Sequence, residues 1–158
     1  MREIMPQQTN GSDPFRDTGL SSHMEDYVEA IVMLSAENRV VRVKDIAAKL
    51  CITMPSVSAA LVKLKEMGLI DYEKYGYVTL TERGRELAER VLMRHNCLIA
   101  FFTTLLQMGD EAAEIEACRV EHVLQSDTCD KIRRLLDFFQ SEERSNQEWV
   151  DRFKKALR

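Results

Sequence analysis

The feature that most constrains this chain is the order of local signals between residues 42 and 80. Val43-Lys44-Asp45-Ile46-Ala47-Ala48-Lys49-Leu50 has the pattern of a short helix, and Thr53-Met54-Pro55 opens a second one that Gly68 ends. Proline suits a first helical turn, and glycine suits the position just past a helix, where φ turns positive. Two helices separated by about four residues form a helix-turn-helix. In the second helix Val57, Leu61 and Leu64 recur at i, i+4 and i+7, which predicts a buried stripe and turns Ser56, Ala59 and Lys63 outward. Directly after it, Leu69-Ile70-Asp71-Tyr72-Glu73 and Tyr77-Val78-Thr79-Leu80 are short β-rich runs joined by Lys74-Tyr75-Gly76, a hairpin connection. Helix, turn, helix and hairpin together make a winged helix.

The flanks extend this into a mainly α architecture. Residues 1–21 combine Pro6, Asn10, Gly11, Ser12 and Pro14 without hydrophobic period and are expected to be a flexible arm. From Ser22 the apolar positions Met24, Tyr27, Val28, Ile31, Val32 and Leu34 predict an amphipathic helix. Thr81 is the expected cap of a helix carrying Leu87, Val91 and Leu92. An N-terminal winged helix-turn-helix domain is therefore assigned to 22–94, an all-α domain to 95–141, and a charged tail or last helix to 142–158. The run Cys97 to Phe102 is broken by Thr103 and Thr104, too short to span a bilayer, and the N-terminus lacks the apolar core of a signal peptide. No membrane association and a cytoplasmic location are expected. Cys51, Cys97, Cys118 and Cys129 contain no CxxC pair and are expected as thiols or metal ligands rather than disulfides.

The net charge of −4 argues against nucleic acid until it is divided along the chain. Residues 39–94 carry 11 basic and 7 acidic side chains, whereas both flanks are acidic. A basic module inside an acidic chain suits contact with double-stranded DNA through one face. Thr53, Pro55, Ser56 and Ala59 supply the small and polar turn that can enter a major groove, and Arg42, Lys44, Lys63, Lys65 and Lys74 are the cations expected at phosphates. A winged helix used only for protein contact would share the pattern.

A second constellation involves metal-ligand residue types. Cys118, Glu121 and His122 stand at i, i+3 and i+4, which on a helix places thiolate, carboxylate and imidazole on one face. A buried cysteine beside a solvated Glu-His pair fits the same spacing. His95 adds an imidazole between the two domains, and Asp26 and Glu29 form an i, i+3 carboxylate pair that otherwise reads as a hydrated helix face.

The strings Met24-Glu25-Asp26-Tyr27-Val28-Glu29-Ala30-Ile31, Arg94-His95 and Glu116-Ala117-Cys118-Arg119-Val120-Glu121-His122-Val123 resemble the diphtheria-toxin-repressor family of metal-dependent regulators over residues 22 to 140. The length, Asp26 and Glu29 are similar to the two-domain manganese transport regulators, and the Glu-Ala-Cys-Arg-x-Glu-His string to the iron-responsive members. The resemblance implies a DNA-binding transcriptional repressor with Mn2+ or Fe2+ as co-repressor, Zn2+ or Co2+ being possible in vitro. It implies control of metal-homeostasis genes through a palindromic operator, and metal ligands at Asp26, Glu29, His95, Cys118, Glu121 and His122. It also implies a homodimer, for which Leu98, Phe101, Phe102, Leu105, Leu135, Phe138 and Phe139 are the expected contacts or, equally, an internal core. Two departures stand out. Cys118 replaces the glutamate of the manganese regulators, and the acid and histidine of the iron regulators' ancillary site fall on Ile99 and Glu114, so that site is expected to be altered or absent.

Two other classes of function remain as readings of the same residues. One is a metal-independent winged-helix regulator that senses oxidation through Cys118 or Cys129. The other is a metallohydrolase with His95, Cys118 and Glu121 as ligands, which lacks an evident general base and leaves the winged helix unexplained. The expectation is that the chain is not an enzyme.

Overall fold

The computed structural model describes residues 15, 18–37, 40–73 and 76–157. The chain forms two compact units, one from Thr18 to Leu92 and one starting at Met93, to which Phe15 also belongs. The expected arm at 1–21 lies largely outside the described residues, but Phe15 is buried in the core of the second unit.

In the first unit, α1 (Ser22–Glu37), α2 (Val43–Lys49) and α3 (Met54–Glu66) precede a two-stranded antiparallel sheet, β1 (Ile70–Tyr72) and β2 (Val78–Leu80). The strands pair Ile70 with Leu80, Asp71 with Thr79 and Tyr72 with Val78. An isolated bridge between Val41 and Val78 ties the segment ahead of α2 to the hairpin. The stripe predicted for α3 is its buried face, with Val57, Leu61 and Leu64 fully enclosed against Val28 and Ile31 of α1 and Ile46 of α2. Thr53 caps α3, its Oγ1 accepting from the Ser56 N–H at 3.4 Å, and Gly68 leaves the helix at φ +70°.

The helix α4 (Glu82–Ala100) starts at Thr81, whose Oγ1 accepts from the Gly84 N–H and donates to the Gly68 carbonyl. A Cβ at Gly84 would stand 1.8 Å from the Leu69 carbonyl oxygen, so only glycine allows α4 to seat this closely on the turn before β1. The domain boundary expected at 94/95 falls within this helix. α4 runs through it without interruption and continues as a π-helical segment, Phe101–Leu105, where Thr103 Oγ1 donates back to the Ile99 carbonyl at 2.9 Å.

The second unit continues with α5 (Asp110–Val120), α6 (Ser126–Ser145) and α7 (Gln147–Ala156). The tail is thus a helix, capped by Asn146, whose Oδ1 accepts from the Trp149 N–H. Its core gathers Cys97, Ala100, Leu105, Cys129, Leu136, Phe139 and Val150, with Trp149 and Phe153 stacked and both tilted on Phe139. No single helix among the described residues is long and apolar enough to cross a membrane.

Candidate nucleic-acid interface and metal centre

The helix-turn-helix displays Thr53, Pro55, Ser56, Ala59 and Lys63 on the exposed side of α3. Thr53 and Ser56 share a hydroxyl hydrogen bond at 2.9 Å, which holds the first turn's polar groups together. Between α3 and the wing lies a groove of about 1160 Å³ that includes Arg42, Lys44, Met54, Pro55, Val62 and Lys65. Sequence reasoning missed Met54 and Val62, which are 54% and 49% exposed on a helix whose Val57, Leu61 and Leu64 face the core. Large apolar side chains outside the i, i+4, i+7 stripe of α3 were the available signal. Such groups can meet thymine methyls in a major groove.

The expected cations differ in their surroundings. Lys44 and Lys63 are exposed. Lys65 Nζ donates to the Tyr72 carbonyl at 2.8 Å, joining α3 to β1. The Arg42 guanidinium lies over the Tyr77 ring, 5.1 Å from its centroid, and so bridges the start of α2 to the wing. Lys74 lies outside the described residues.

In the second unit the chemistry centres on His95, which α4 buries to 1% exposure. Its Nδ1 is 2.8 Å from Glu121 Oε2, itself buried, and its Nε2 is 3.2 Å from Glu114 Oε1 on α5. Cys118, one turn beyond Glu114, completes a set of nitrogen, oxygen and sulfur donors lying within 4.8 Å of one another. His122 Nε2 lies 3.4 Å from the other oxygen of Glu121.

Cys118, Glu121 and His122 straddle the end of α5. α5 ends at Val120, Glu121 is its buried C-cap residue, and His122 begins the turn that follows, while Cys118 is exposed. Cys118 stands with Glu114 near His95, and Glu121 lies at His95 Nδ1 with His122 close to its other oxygen. Glu114 was read as the mark of a missing site, yet it is in contact with His95. Its i, i+4 relation to Cys118 was the signal to follow. Asp26 and Glu29 belong to α1 of the first unit, where Asp26 is half-buried and Glu29 buried.

The residues expected at a dimer contact also divide. Leu98, Leu105 and Phe139 are 1 to 3% exposed within the protomer, so a partner cannot reach them. Phe101 is partly buried against the protomer's own core, and Phe102 stands edge-on to it at 5.4 Å. Leu135 and Phe138 remain 47% and 54% exposed on α6, with Phe138 edge-on to Trp149. Of the cysteines, Cys97 and Cys129 are buried and Cys51 and Cys118 exposed.

A winged helix followed by a helical unit built around an imidazole with carboxylate and thiol neighbours is the pattern of a metal-dependent transcriptional regulator. Two domain families match in tandem: the N-terminal DNA-binding domain of the iron dependent repressors over residues 19–78, and their metal-binding and dimerisation domain over residues 81–150. The chain belongs to this iron-dependent repressor family, the diphtheria-toxin-repressor family of the sequence resemblance. Among its relatives is the HTH-type transcriptional regulator MntR of Geobacillus kaustophilus, 36% identical over 121 residues that cover 77% of this chain and 85% of MntR. An uncharacterized HTH-type transcriptional regulator of Methanocaldococcus jannaschii is 31% identical over 121 residues, covering 76% of this chain and 97% of that protein. Among solved structures, a manganese-dependent transcriptional repressor in complex with manganese superposes with a TM-score of 0.66 at 29% identity, covering 73% of this chain. ScaR with bound Zn2+ gives 0.61 at 25% identity and the same coverage of this chain. The chain spans about half the length of these solved structures, 53% and 54%. These relatives are regulators, and the chain is a metal-dependent transcriptional repressor of this type, not a hydrolase.

Proposed function

We propose that the protein represses metal-homeostasis genes as a homodimer on a palindromic operator, with Mn2+ or Fe2+ as its co-repressor. The observation that carries this reading is the setting of His95. A buried imidazole with carboxylates at both ring nitrogens and a thiol nearby is a donor set fit for a divalent cation, in a chain that also holds an exposed helix-turn-helix. MntR by name and the manganese-bound repressor by description support manganese, whereas the thiol of Cys118 favours iron.

By the sequence resemblance, the residues proposed to hold metal are Asp26, Glu29, His95, Cys118, Glu121 and His122. A bound divalent cation supplies positive charge that offsets these carboxylates. Thr53, Pro55, Ser56 and Ala59 are proposed to meet base edges, and Arg42, Lys44, Lys63 and Lys74 phosphates. Exposed Leu135 and Phe138, with Phe102, are proposed to pair two copies, which matches two recognition helices to two half-sites.

The test is operator binding by the full chain with Mn2+, Fe2+, Zn2+ and Co2+ side by side under anaerobic conditions. Metal should strengthen binding by roughly 5- to 150-fold, the usual range of a coupling between two ligands. His122→Ala and Glu121→Gln should lose that gain while keeping weak, nonspecific DNA binding, with thermal melting to establish that each is folded. A folded His122→Ala protein that keeps the full metal response would refute the assignment.

A further inference from the structure

We propose that Tyr77 of the wing is a positioning residue for DNA, whose ring holds the Arg42 guanidinium in place for one phosphate of the strand that passes between α3 and the wing. The inference rests on reading this unit as DNA-binding, and gives a role to an aromatic residue that neither the helix-turn-helix pattern nor the family resemblance assigns.

The backbone brings the two residues together. The Val78 N–H donates to the Val41 carbonyl at 2.9 Å in an antiparallel bridge, so the next pair in that register is Arg42 and Tyr77. Val41 and Val78 are both buried, and by the alternation of side chains along extended backbone the next pair faces outward. The guanidinium carbon stands 5.1 Å from the Tyr77 ring centroid, and Nη2 donates to the Tyr77 Oη at 3.4 Å. The other end of the side chain is also fixed, because the Arg42 N–H donates to Asp45 Oδ2 at 3.1 Å where α2 begins. Tyr77 is 52% exposed and Arg42 is exposed, and a cation–aromatic pair so open to water adds little to folding. It does remove freedom from a long side chain before a partner arrives, which lessens the entropy lost on binding. The Tyr77 hydroxyl engages one of the five guanidinium N–H donors, and among the described residues no carboxylate pairs with the group. The remaining donors match two oxygens of a phosphate. Arg42 also lines the groove beside α3, together with Lys44 and Lys65. Glu66 and Glu73 line the same groove, and Lys65 is bonded to the Tyr72 carbonyl, so overall charge attracts a phosphate strand only weakly there and a cation held at one place matters more.

The experiment measures the affinity of the full-length protein for a labelled mixed-sequence DNA duplex, by fluorescence anisotropy across a series of KCl concentrations, with thermal melting to show that each variant is folded. Arg42→Ala should weaken binding about 10-fold and lower the salt slope by about one unit. Tyr77→Ala should weaken binding by about 2- to 5-fold when Arg42 is present and add nothing to Arg42→Ala. Tyr77→Phe should restore what Tyr77→Ala loses, because the ring is the shelf. Arg42→Lys should keep the slope and lose affinity, since an ammonium neither stacks on the ring nor grips a phosphate through two parallel bonds. A wild-type slope in Arg42→Ala, or the same loss from Tyr77→Ala with and without Arg42, would each overturn the proposal. The second of these is the result of a purely structural role for Tyr77. Because the probe is not an operator, the outcome is separable from metal-stimulated operator binding. These effects without that metal response would sink the repressor reading and leave the wing contact standing. The metal response with a salt slope that only Lys63→Ala lowers would do the reverse.

Discussion

Four cysteines of one chain divide into two chemistries by burial alone. Burial, and after it the neighbouring Cys129, push the Cys97 thiol up to about 12, so Cys97 stays a neutral, apolar filler of the second core. Thiol reagents react with the thiolate and need access. Under native, metal-free conditions at pH 8, Ellman's reagent should therefore modify Cys51 and Cys118, and leave Cys97 and Cys129 untouched until the protein unfolds. Mass spectrometry of the labelled peptides checks this, and fast labelling of Cys129 would reopen it as an oxidation sensor. The sign of the pH effect follows from the same burial. A thiol raised in the folded state holds its proton there longer than in the unfolded chain, so its contribution is present below about pH 9 and is lost as pH rises toward 12. Urea midpoints should fall over that alkaline window.

At the scale of elements, the wing is tied to the helix-turn-helix by two of the cations expected at phosphates. Lys65 bonds the Tyr72 carbonyl and Arg42 covers Tyr77, whereas Lys63 on the outer face of α3 is exposed. Lys63→Ala should weaken operator binding and flatten its salt dependence by about one unit, with the melting temperature unchanged. Equal salt slopes for wild type and variant would remove Lys63 from the phosphate contacts. For Arg42 and Tyr77, a double-mutant cycle to Ala in urea should give a coupling of about 0.5 to 1 kcal/mol, the range of an exposed cation–π pair. Additive single effects would mean that Arg42 does not hold the wing. The length of α4 is another outcome at this scale. The apolar spacing from Leu87 and Val91 to Leu98 carries one helix through the polar residues Arg94, His95 and Asn96, so no backbone hydrogen bond is given up there.

For the whole molecule, the question is which apolar surface a second copy would cover. Leu135 and Phe138 are exposed on α6 and Phe139 beside them is enclosed. Leu135→Asp or Phe138→Asp should give a folded monomer with weakened operator binding, because a dimer gains effective concentration at its second half-site. Phe139→Asp should instead unfold the second unit, since it buries an unpaired charge among Trp149, Phe153 and Val150. Sedimentation velocity with far-ultraviolet circular dichroism separates the outcomes. An unchanged dimer in both α6 variants would move the interface to another face.

The winged helix was legible in residues 42–80 because each of its decisions is local. Thr53 caps, Pro55 starts, Gly68 stops, and Val57, Leu61 and Leu64 repeat at the period of one helix face, all within a few residues of one another. His95 and the Cys118–His122 string were legible as metal-ligand types for the same reason. What they face was not. That Glu121 is buried against His95 is a contact across 26 residues, which no local pattern states. Glu114 becomes a neighbour of His95 only once α5 is packed, and Leu98, Leu105 and Phe139 are taken from the dimer list only once the core around them is filled. Residue type and spacing state which donors and apolar faces exist. Packing between distant segments decides which donors share an ion and which faces remain for a partner, because burial is a property of the assembled neighbours and not of the side chain alone.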